Sequence, residues 1–313
     1  MKIISALTWL LVLGMASCTS GDYRLFHPVD LVAGVEWWST LFEVGIMSLI
    51  IVPVALLIVW CLWRYRKGAG AAYDPEFTHS LVLEILVWGV PLIIVAICGF
   101  VSIRTIHEVD PYSPGVLAQA EATAPPIDID VVTTDWQWLF IYPAQHVASI
   151  DEMVVPQGRV VHLRLTSTSV TNDFYIPQIA PMIDIMPGMR TEDAFDAAKL
   201  GVFTGFSADF SGAGFSWMQF ATRIVPPADF SSWVARAAAS PNALSYDAFK
   251  KLAQPTVNEG AKISYFSAPD PQLFDEVVMA ADSGVVYPVS NELTRSVANL
   301  EIGPAKPTGA ATK

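Results

Sequence analysis

The chain has 313 residues, of which 53% are hydrophobic and only 15% are charged, and its mean hydropathy is +0.43. This composition is more apolar than that of a soluble domain, and it indicates membrane-spanning segments joined to a folded domain. The formal net charge of −12 argues against nucleic acid as a partner, because that function needs clustered lysine and arginine. We interpret the acidity as a solvated surface rather than a site for a cationic partner.

The first 17 residues have the form of a bacterial lipoprotein signal peptide. Lys2 is followed by an apolar run and then by small residues directly before Cys18, which is predicted to become the lipidated N-terminus. Met15 departs from the leucine that is usual in such a cleavage site. A plain signal peptide, or a first membrane anchor with an incidental cysteine, is the alternative that the sequence leaves open. An exported segment at 18–38 follows.

Two apolar stretches predict a transmembrane hairpin. The first occupies 39–63 and the second 81–104, and each can cross a hydrocarbon core about 30 Å thick as a helix. The loop between them, at 64–80, contains three basic residues: Arg64, Arg66 and Lys67. The positive-inside rule places this loop in the cytoplasm, so both ends of the chain are predicted to lie on the periplasmic side of the bacterial inner membrane.

Each predicted span contains one glutamate and one mid-span proline. Glu84 lies about one turn inside the cytoplasmic end of the second span, where a carboxylate is costly and is usually functional or partnered. From position alone, a functional role and a side chain that faces the headgroups are equally open. Glu43 lies near the outer end of the first span, where the second reading is favoured. Pro53 and Pro91 indicate packing against other helices.

The sequence after the second span predicts an exported β-domain. A polar, proline-containing linker at 105–126 is followed at 127–226 by short segments in which apolar and polar residues alternate, as in half-buried strands. Many short strands separated by proline and glycine turns are typical of a β-sandwich or barrel of roughly 100 residues. The strand segments read IDIDVV, DWQWLFIYP, PQGRVVHLRLTST, FYIP, MIDIMPGM, GVFTGF and WMQFATRIV.

The pattern changes to a helical period at 227–285. Three segments there predict short helices: ADFSSWVARAAA, SYDAFKKLA and DPQLFDEVVMAA. The tail at 286–313 is predicted to be disordered towards its end. The predicted fold class is therefore membrane α plus all-β: a two-helix transmembrane hairpin, an exported β-sandwich and a short helical C-terminal region.

The exported part of the chain lacks side chains that bind soft metals. The three cysteines, Cys18, Cys61 and Cys98, all precede it, and no histidine follows His162. Nevertheless, the segment GFSADFSGAGFSWMQF at 205–220 has the residue spacing of a metal-ligand loop, and its glycines exclude a helix. The spacing suggests a metal site, whereas the side-chain chemistry does not.

Three stretches resemble subunit II of the haem–copper respiratory oxidases. YDPEFTHSLVLEILVWGVP resembles the family's approach to the second span, and VVTTDWQWLFIYP resembles the aromatic strand that opens its cupredoxin domain. The third stretch is SVTNDFYIPQIAPMIDIMPGM. The resemblance runs from about Cys18 to the C-terminal helices, and it implies that the exported β-sandwich is cupredoxin-like.

In the branch of this family that oxidises cytochrome c, the domain holds a dinuclear copper centre. Its ligands are two bridging cysteines, two histidines, a methionine and a backbone carbonyl beside an acidic residue. By the resemblance, the first histidine, first cysteine, acidic residue, second cysteine, second histidine and methionine fall in turn on these positions: Asn172, Ser207, Asp209, Ser211, Phe215 and Met218. A serine hydroxyl stays protonated and cannot bridge two coppers, and a phenyl ring has no donor atom.

These departures resemble the quinol-oxidising branch, whose subunit II keeps the fold without copper. The resemblance implies a subunit of a proton-pumping ubiquinol oxidase that reduces oxygen to water. The implied partners are subunit I, other oxidase subunits, membrane lipid and ubiquinol, with no role for cytochrome c. Haems and copper are expected in subunit I. This chain is expected to bind no cofactor or metal and to contribute no catalytic residue, since neither span contains a histidine.

The resemblance also gives roles to three residues. Glu84 is similar to the family's carboxylate at the cytoplasmic mouth of a proton channel through subunit I. Trp136 and Trp138 resemble an aromatic ridge that faces the electron donor in copper-bearing relatives, although here we expect them to pack within the barrel or on subunit I. Two other functions remain open: a free-standing, membrane-anchored cupredoxin-like binding protein of the periplasm, and a cytochrome c oxidase subunit with a single copper at Met218.

Overall fold

A computed structural model of the chain describes residues 27–70, 79–112, 115–255 and 263–283, together with Tyr287. The predicted signal peptide, Cys18 and nearly all of the predicted tail lie outside the described residues. The described part consists of two long apolar helices, a short helix before the first strand, an eleven-stranded β-sandwich and three short helices near the C-terminus.

The two long helices are α1 (Leu31–Arg64) and α2 (Leu81–Val109). Both are long and apolar enough to cross a membrane. They are longer than the predicted spans, so residues 31–38 and 105–109 are helical rather than parts of an irregular segment and a linker. A 3₁₀ turn (Gly115–Leu117) and a short helix, α3 (Ala118–Thr123), occupy more of the predicted linker.

The early start of α1 has a local cause. Asp30 caps the helix, because its Oδ1 accepts a hydrogen bond from the Ala33 backbone N–H at 2.7 Å. Val32 and Ala33 are buried, and the Leu31 N–H donates to Asp196 of the β-domain at 2.8 Å. The first turn of α1 is therefore part of the packing of the β-domain, which a hydropathy pattern alone does not reveal.

The β-domain consists of two sheets. In chain order the strands β1 to β11 are Ile127–Thr134, Gln137–Tyr142, Val147–Ile150, Glu152–Pro156, Val160–Ser167, Asn172–Ile176, Ala180–Ile185, Thr191–Asp196, Gly201–Phe206, Gln219–Val225 and Ser264–Ser267. The first sheet has the strand order β11-β3-β2-β1-β5-β8, and the second has the order β4-β10-β9-β6-β7. Most neighbouring strands are antiparallel, whereas β1 with β5 and β4 with β10 are parallel.

The core between the sheets is aromatic. Trp138, Phe140 and Tyr142 alternate along β2 and are all fully buried. The Trp138 ring lies 4.9 Å from the ring of Phe220 and 5.7 Å from that of Phe174, centroid to centroid. Aromatic pairs at these separations add to the stabilisation from burial alone. The alternation predicted for this strand therefore corresponds to the inward face of the first sheet.

The outward face of the same strand is also buried. Leu139 and Ile141 belong to a second apolar cluster formed with the C-terminal helices. Helix α4 (Pro227–Ala238) packs through Phe230 and Trp233 on the core between the sheets, whereas α5 (Tyr246–Leu252) and α6 (Leu273–Asp282) form the second cluster. Strand β11 pairs with β3 and was not predicted from the sequence. The C-terminal region is thus a third layer on the first sheet, and the sheet is buried on both faces rather than half-buried.

Candidate functional site

The site begins where Ser207 follows β9 and Asn172 starts β6. The Ser207 hydroxyl can donate to Asn172 Oδ1 at 3.4 Å or to the Asp209 carbonyl at 3.2 Å, and it accepts a hydrogen bond from the Asp173 N–H at 3.2 Å. The Asn172 amide donates to Thr133 Oγ1 at 3.2 Å and to the Val170 carbonyl at 3.3 Å. Both side chains are buried. The structure therefore brings these two positions together through neutral hydrogen bonds.

Ser211 and Met218 are tied to the tryptophans through their backbones. Trp136 Nε1 donates to the Ser211 carbonyl at 3.1 Å, and Trp138 Nε1 donates to the Met218 carbonyl at 3.3 Å. Trp136 and Trp138 are 3% and 0% exposed, so both rings pack inside the sandwich. They hold the loop closed and do not form a surface ridge.

Phe215 lies in a 3₁₀ turn, Phe215–Trp217, and its ring packs against that of Phe210 at 5.5 Å between centroids. The exposed aromatic side chains of the loop are those of Phe210 and Trp217, which are 69% and 48% exposed. Sequence reasoning missed these two because it followed only the ligand spacing. Their places between the ligand positions could have drawn attention to them.

Glycines let the loop approach the aromatic core. A Cβ atom on Gly214 would lie 2.3 Å from the Trp136 ring, and one on Gly205 would lie 2.1 Å from the Phe220 ring. Gly212 adopts a φ of 126°, a conformation that other residues avoid. Close packing at two glycines and backbone conformation at the third therefore explain why the loop is rich in glycine.

The loop does not offer the donors that a dinuclear copper centre needs. The polar side chains at the six positions are two hydroxyls, the Asn172 amide and the Asp209 carboxylate, and the one soft atom is the buried Met218 thioether. Within the described residues, no three His, Cys, Asp or Glu side chains lie close enough together to hold a metal ion. Copper in such a centre requires thiolate and imidazole ligands, so the residues at these positions do not fit it.

Two carboxyl groups lie opposite each other beside the loop. Asp173 on β6 faces Asp184 on β7. Burial raises the pKa of Asp173 to about 6, with further contributions from its hydrogen bond to Asp184 and from the charges of Asp184 and Asp209. Asp173 therefore keeps its proton to a higher pH than an ordinary aspartate does, and in that form it can donate to Asp184.

Glu84 lies in the first turn of α2. Its Oε1 is 2.5 Å from Nδ1 of His79, which lies just before the helix. The side chains of His79 and Glu84 are 66% and 51% exposed, so the pair is accessible at this end of the hairpin. Sequence analysis did not identify His79 as the partner, although its position five residues before Glu84, across the start of the helix, was the available signal.

Two family models match the chain. Residues 129–225 match "Cytochrome C oxidase subunit II, periplasmic domain", and residues 238–280 match "COX Aromatic Rich Motif". The first match covers the sandwich and the second covers most of the third layer. Together with the two long apolar helices, they define a membrane-anchored oxidase subunit II with a cupredoxin-like domain.

Curated relatives narrow this class. The chain is 35% identical to cytochrome bo(3) ubiquinol oxidase subunit 2 of Pseudomonas aeruginosa, over 88% of this chain and 81% of that protein. It is 36% identical to the same subunit of Buchnera aphidicola, over 88% of this chain and 96% of that protein. It is 35% identical to ubiquinol oxidase subunit 2 of Acetobacter aceti, over 77% of this chain and 76% of that protein. The chain belongs to the subunit 2 family of the bo-type ubiquinol oxidases.

This membership confirms the resemblance seen in the sequence and the predicted fold class. It favours the oxidase subunit over the free-standing binding protein. It also agrees with an inner-membrane location, because two helices long and apolar enough to cross a membrane precede a domain whose family description is periplasmic.

Proposed function

We propose that the chain is a non-catalytic subunit of a complex that oxidises ubiquinol, reduces oxygen to water and pumps protons. The observation that carries this proposal is the donor set of the loop, in which hydroxyls, an amide and a phenyl ring stand where thiolates and imidazoles are needed. A domain without a copper relay does not accept electrons from cytochrome c. Haems and copper held by subunit I would accept the electrons of quinol, with no relay needed in this chain.

The first experiment compares electron donors for the purified complex. We expect ubiquinol to support oxygen uptake and reduced cytochrome c to fail. Oxidation of cytochrome c at a comparable rate would contradict the proposal.

A second experiment tests the single-copper alternative. Met218→Leu removes the thioether and conserves the side-chain volume at a buried position that is 1% exposed. Met153→Leu makes the same change at a position that is 0% exposed, and it is the matched control. We expect both variants to retain the copper content of the unmodified complex. A loss of one copper in the Met218 variant alone would overturn the assignment.

The proposal gives this chain structural roles and one role in proton uptake. The two helices expose apolar side chains along their lengths, which suits packing against subunit I, other subunits and membrane lipid. Glu84 pairs with His79 at the start of α2, directly after the basic loop. At this position Glu84 would take up protons from the cytoplasm. An exposed carboxylate next to an imidazole can take up a proton from water and pass it on.

The proposed topology places the loop between the helices in the cytoplasm and the sandwich in the periplasm. The positive charges of Arg64, Arg66 and Lys67 support it, as does the periplasmic description of the matching family. Cleavage and lipidation at Cys18 would add a second anchor. Mass spectrometry of the mature N-terminus tests this point: a diacylglyceryl cysteine is expected, and an unmodified Met1 would refute lipidation.

A further inference from the structure

A groove of about 360 Å³ lies between α1 and α2 at the ends closest to the β-domain. Apolar side chains of Phe42 and Val101 line the end of the groove that is farther from the domain. Arg104, Thr105 and Glu108 follow towards the domain, where Val35 also lines the groove. A groove with an apolar end and a charged end suits an amphipathic lipid, whose acyl chains and headgroup match the two ends.

The charged groups form an ion pair on one helix face. Arg104 Nε donates to Glu108 Oε1 at 3.1 Å, and the two side chains are 73% and 46% exposed. Among the described residues, Arg104 donates to a protein acceptor through Nε alone, so its two terminal nitrogens can donate to a ligand. The pair is therefore accessible to a ligand with one anionic and one cationic group.

The surroundings fit the interface of a bilayer. Trp38 is 72% exposed on α1 beside the groove, and exposed tryptophans are typical of the headgroup level. Ser39 and Thr105 join the two helices by a hydrogen bond of 3.2 Å, which fixes the width of the groove at this level. Four residues separate Arg104 from Glu108, or about 6 Å along the helix axis, with Glu108 farther from the membrane centre.

We propose that this groove holds one phospholipid with a zwitterionic, primary-ammonium headgroup. The phosphate binds the Arg104 guanidinium and the ammonium donates to the Glu108 carboxylate, while an acyl chain follows the apolar wall past Phe42 and Val101. An opposite-charge pair favours this headgroup over an anionic one, which Glu108 repels. It also favours a primary over a trimethylated ammonium, because only the primary form donates hydrogen bonds to a carboxylate. The inference requires only that α1 and α2 lie in a bilayer, and it does not rest on quinol oxidation.

Native mass spectrometry of the full-length chain tests the site. The protein is released from detergent after equilibration with dioleoyl-phosphatidylethanolamine, -phosphatidylcholine or -phosphatidylglycerol. We expect one tightly held phosphatidylethanolamine, and weaker retention of the other two lipids. Arg104→Gln should weaken retention roughly tenfold, because a charge-assisted contact to phosphate is lost, and Arg104→Lys should restore part of it.

Glu108→Gln provides the second arm. Without the carboxylate, the groove carries only the positive charge of Arg104. The lipid that the variant retains most tightly should therefore change from phosphatidylethanolamine to phosphatidylglycerol. Arg64→Gln, at the opposite end of the hairpin, is the control and should change nothing. Equal retention of the three lipids by the unmodified chain, or undiminished retention by the Arg104→Gln variant with normal helicity, would overturn the proposal. A lipid-free groove in the purified complex would also overturn it, in favour of a helix from another subunit.

Discussion

Replacement of Arg164 by leucine should destabilise the β-domain strongly. Arg164 on β5 makes a two-pronged ion pair with Asp130 on β1, with N···O distances of 2.6 and 2.7 Å. The Asp130 side chain is only 5% exposed, whereas that of Arg164 is 39% exposed. Burial raises the pKa of Asp130 while the arginine opposes that rise, so removal of Arg164 leaves a buried carboxyl without its partner.

The magnitude follows from these contacts. Breaking one side of a buried ion pair costs 3–5 kcal/mol in general, and the partial exposure of Arg164 places the expected loss of unfolding free energy at about 3 kcal/mol. Loss of the Arg164 cation–π contact with Phe274, at 5.0 Å, adds about 0.5 kcal/mol. In contrast, Asp130→Leu combined with Arg164→Leu should lie within about 1 kcal/mol of the unmodified protein, because no charge is then buried alone.

Arg190→Leu is the matched control. Arg190 also lies over the Phe274 ring, at 5.7 Å, but its ion-pair partner Asp275 is 48% exposed. Exposed pairs contribute less than about 1 kcal/mol. Urea unfolding of the full chain in detergent, followed by tryptophan fluorescence at neutral pH, measures all three variants. A cost for Arg164→Leu no greater than that for Arg190→Leu would refute the argument from burial.

Three further predictions concern proton uptake, pH dependence and the loop. In the assembled oxidase, Glu84→Gln should slow quinol-driven turnover with unchanged haem content, whereas Glu43→Gln should not; equal rates for the Glu84 variant and the unmodified enzyme would contradict the proton-entry role. Burial raises the pKa of Asp193 from 3.8 to about 7, so its stabilising contribution is complete below about pH 4 and is lost as pH rises through about 7. Asp193→Asn should flatten that part of the stability profile, and an unchanged profile would exclude this group as its origin. Gly214→Ala should lower the unfolding free energy by about 1–3 kcal/mol, because its methyl group overlaps the Trp136 ring; a smaller change in urea midpoint would mean that the loop can shift.

The sequence was sufficient to predict the hairpin and the sandwich, because both have local signals. Long apolar runs identified the helices, and alternation in segments such as 137–142 identified the strands. The burial of Leu139 and Ile141 was not predictable in the same way. It depends on helices more than a hundred residues later in the chain, which cover the outer face of the sheet. Strand β11, with four residues, is too short to give a clear period.

The candidate site was predictable only in part. Spacing and side-chain chemistry identified Ser207 and Ser211, and the family resemblance added Asn172. The hydrogen bond between Ser207 and Asn172 joins residues 35 apart in sequence, so it depends on strand pairing that no local pattern encodes. The use of Trp136 and Trp138 as donors to the loop backbone likewise follows from tertiary packing.

Helix α1 continues without a break into the sandwich, and it therefore determines the rotational orientation of the β-domain about the helix axis. Because α1 starts at Leu31 with its first turn buried against the domain, no swivel separates the sandwich from the bilayer at this point. One residue inserted within 34–38 would turn the domain by about 100° and raise it by about 1.5 Å relative to the rest of α1. The second connection, through α2 and the short helices after it, would oppose that rotation. The two helices of the hairpin therefore hold the sandwich at two connections, so that the same side of the sandwich always faces a protein packed against the hairpin.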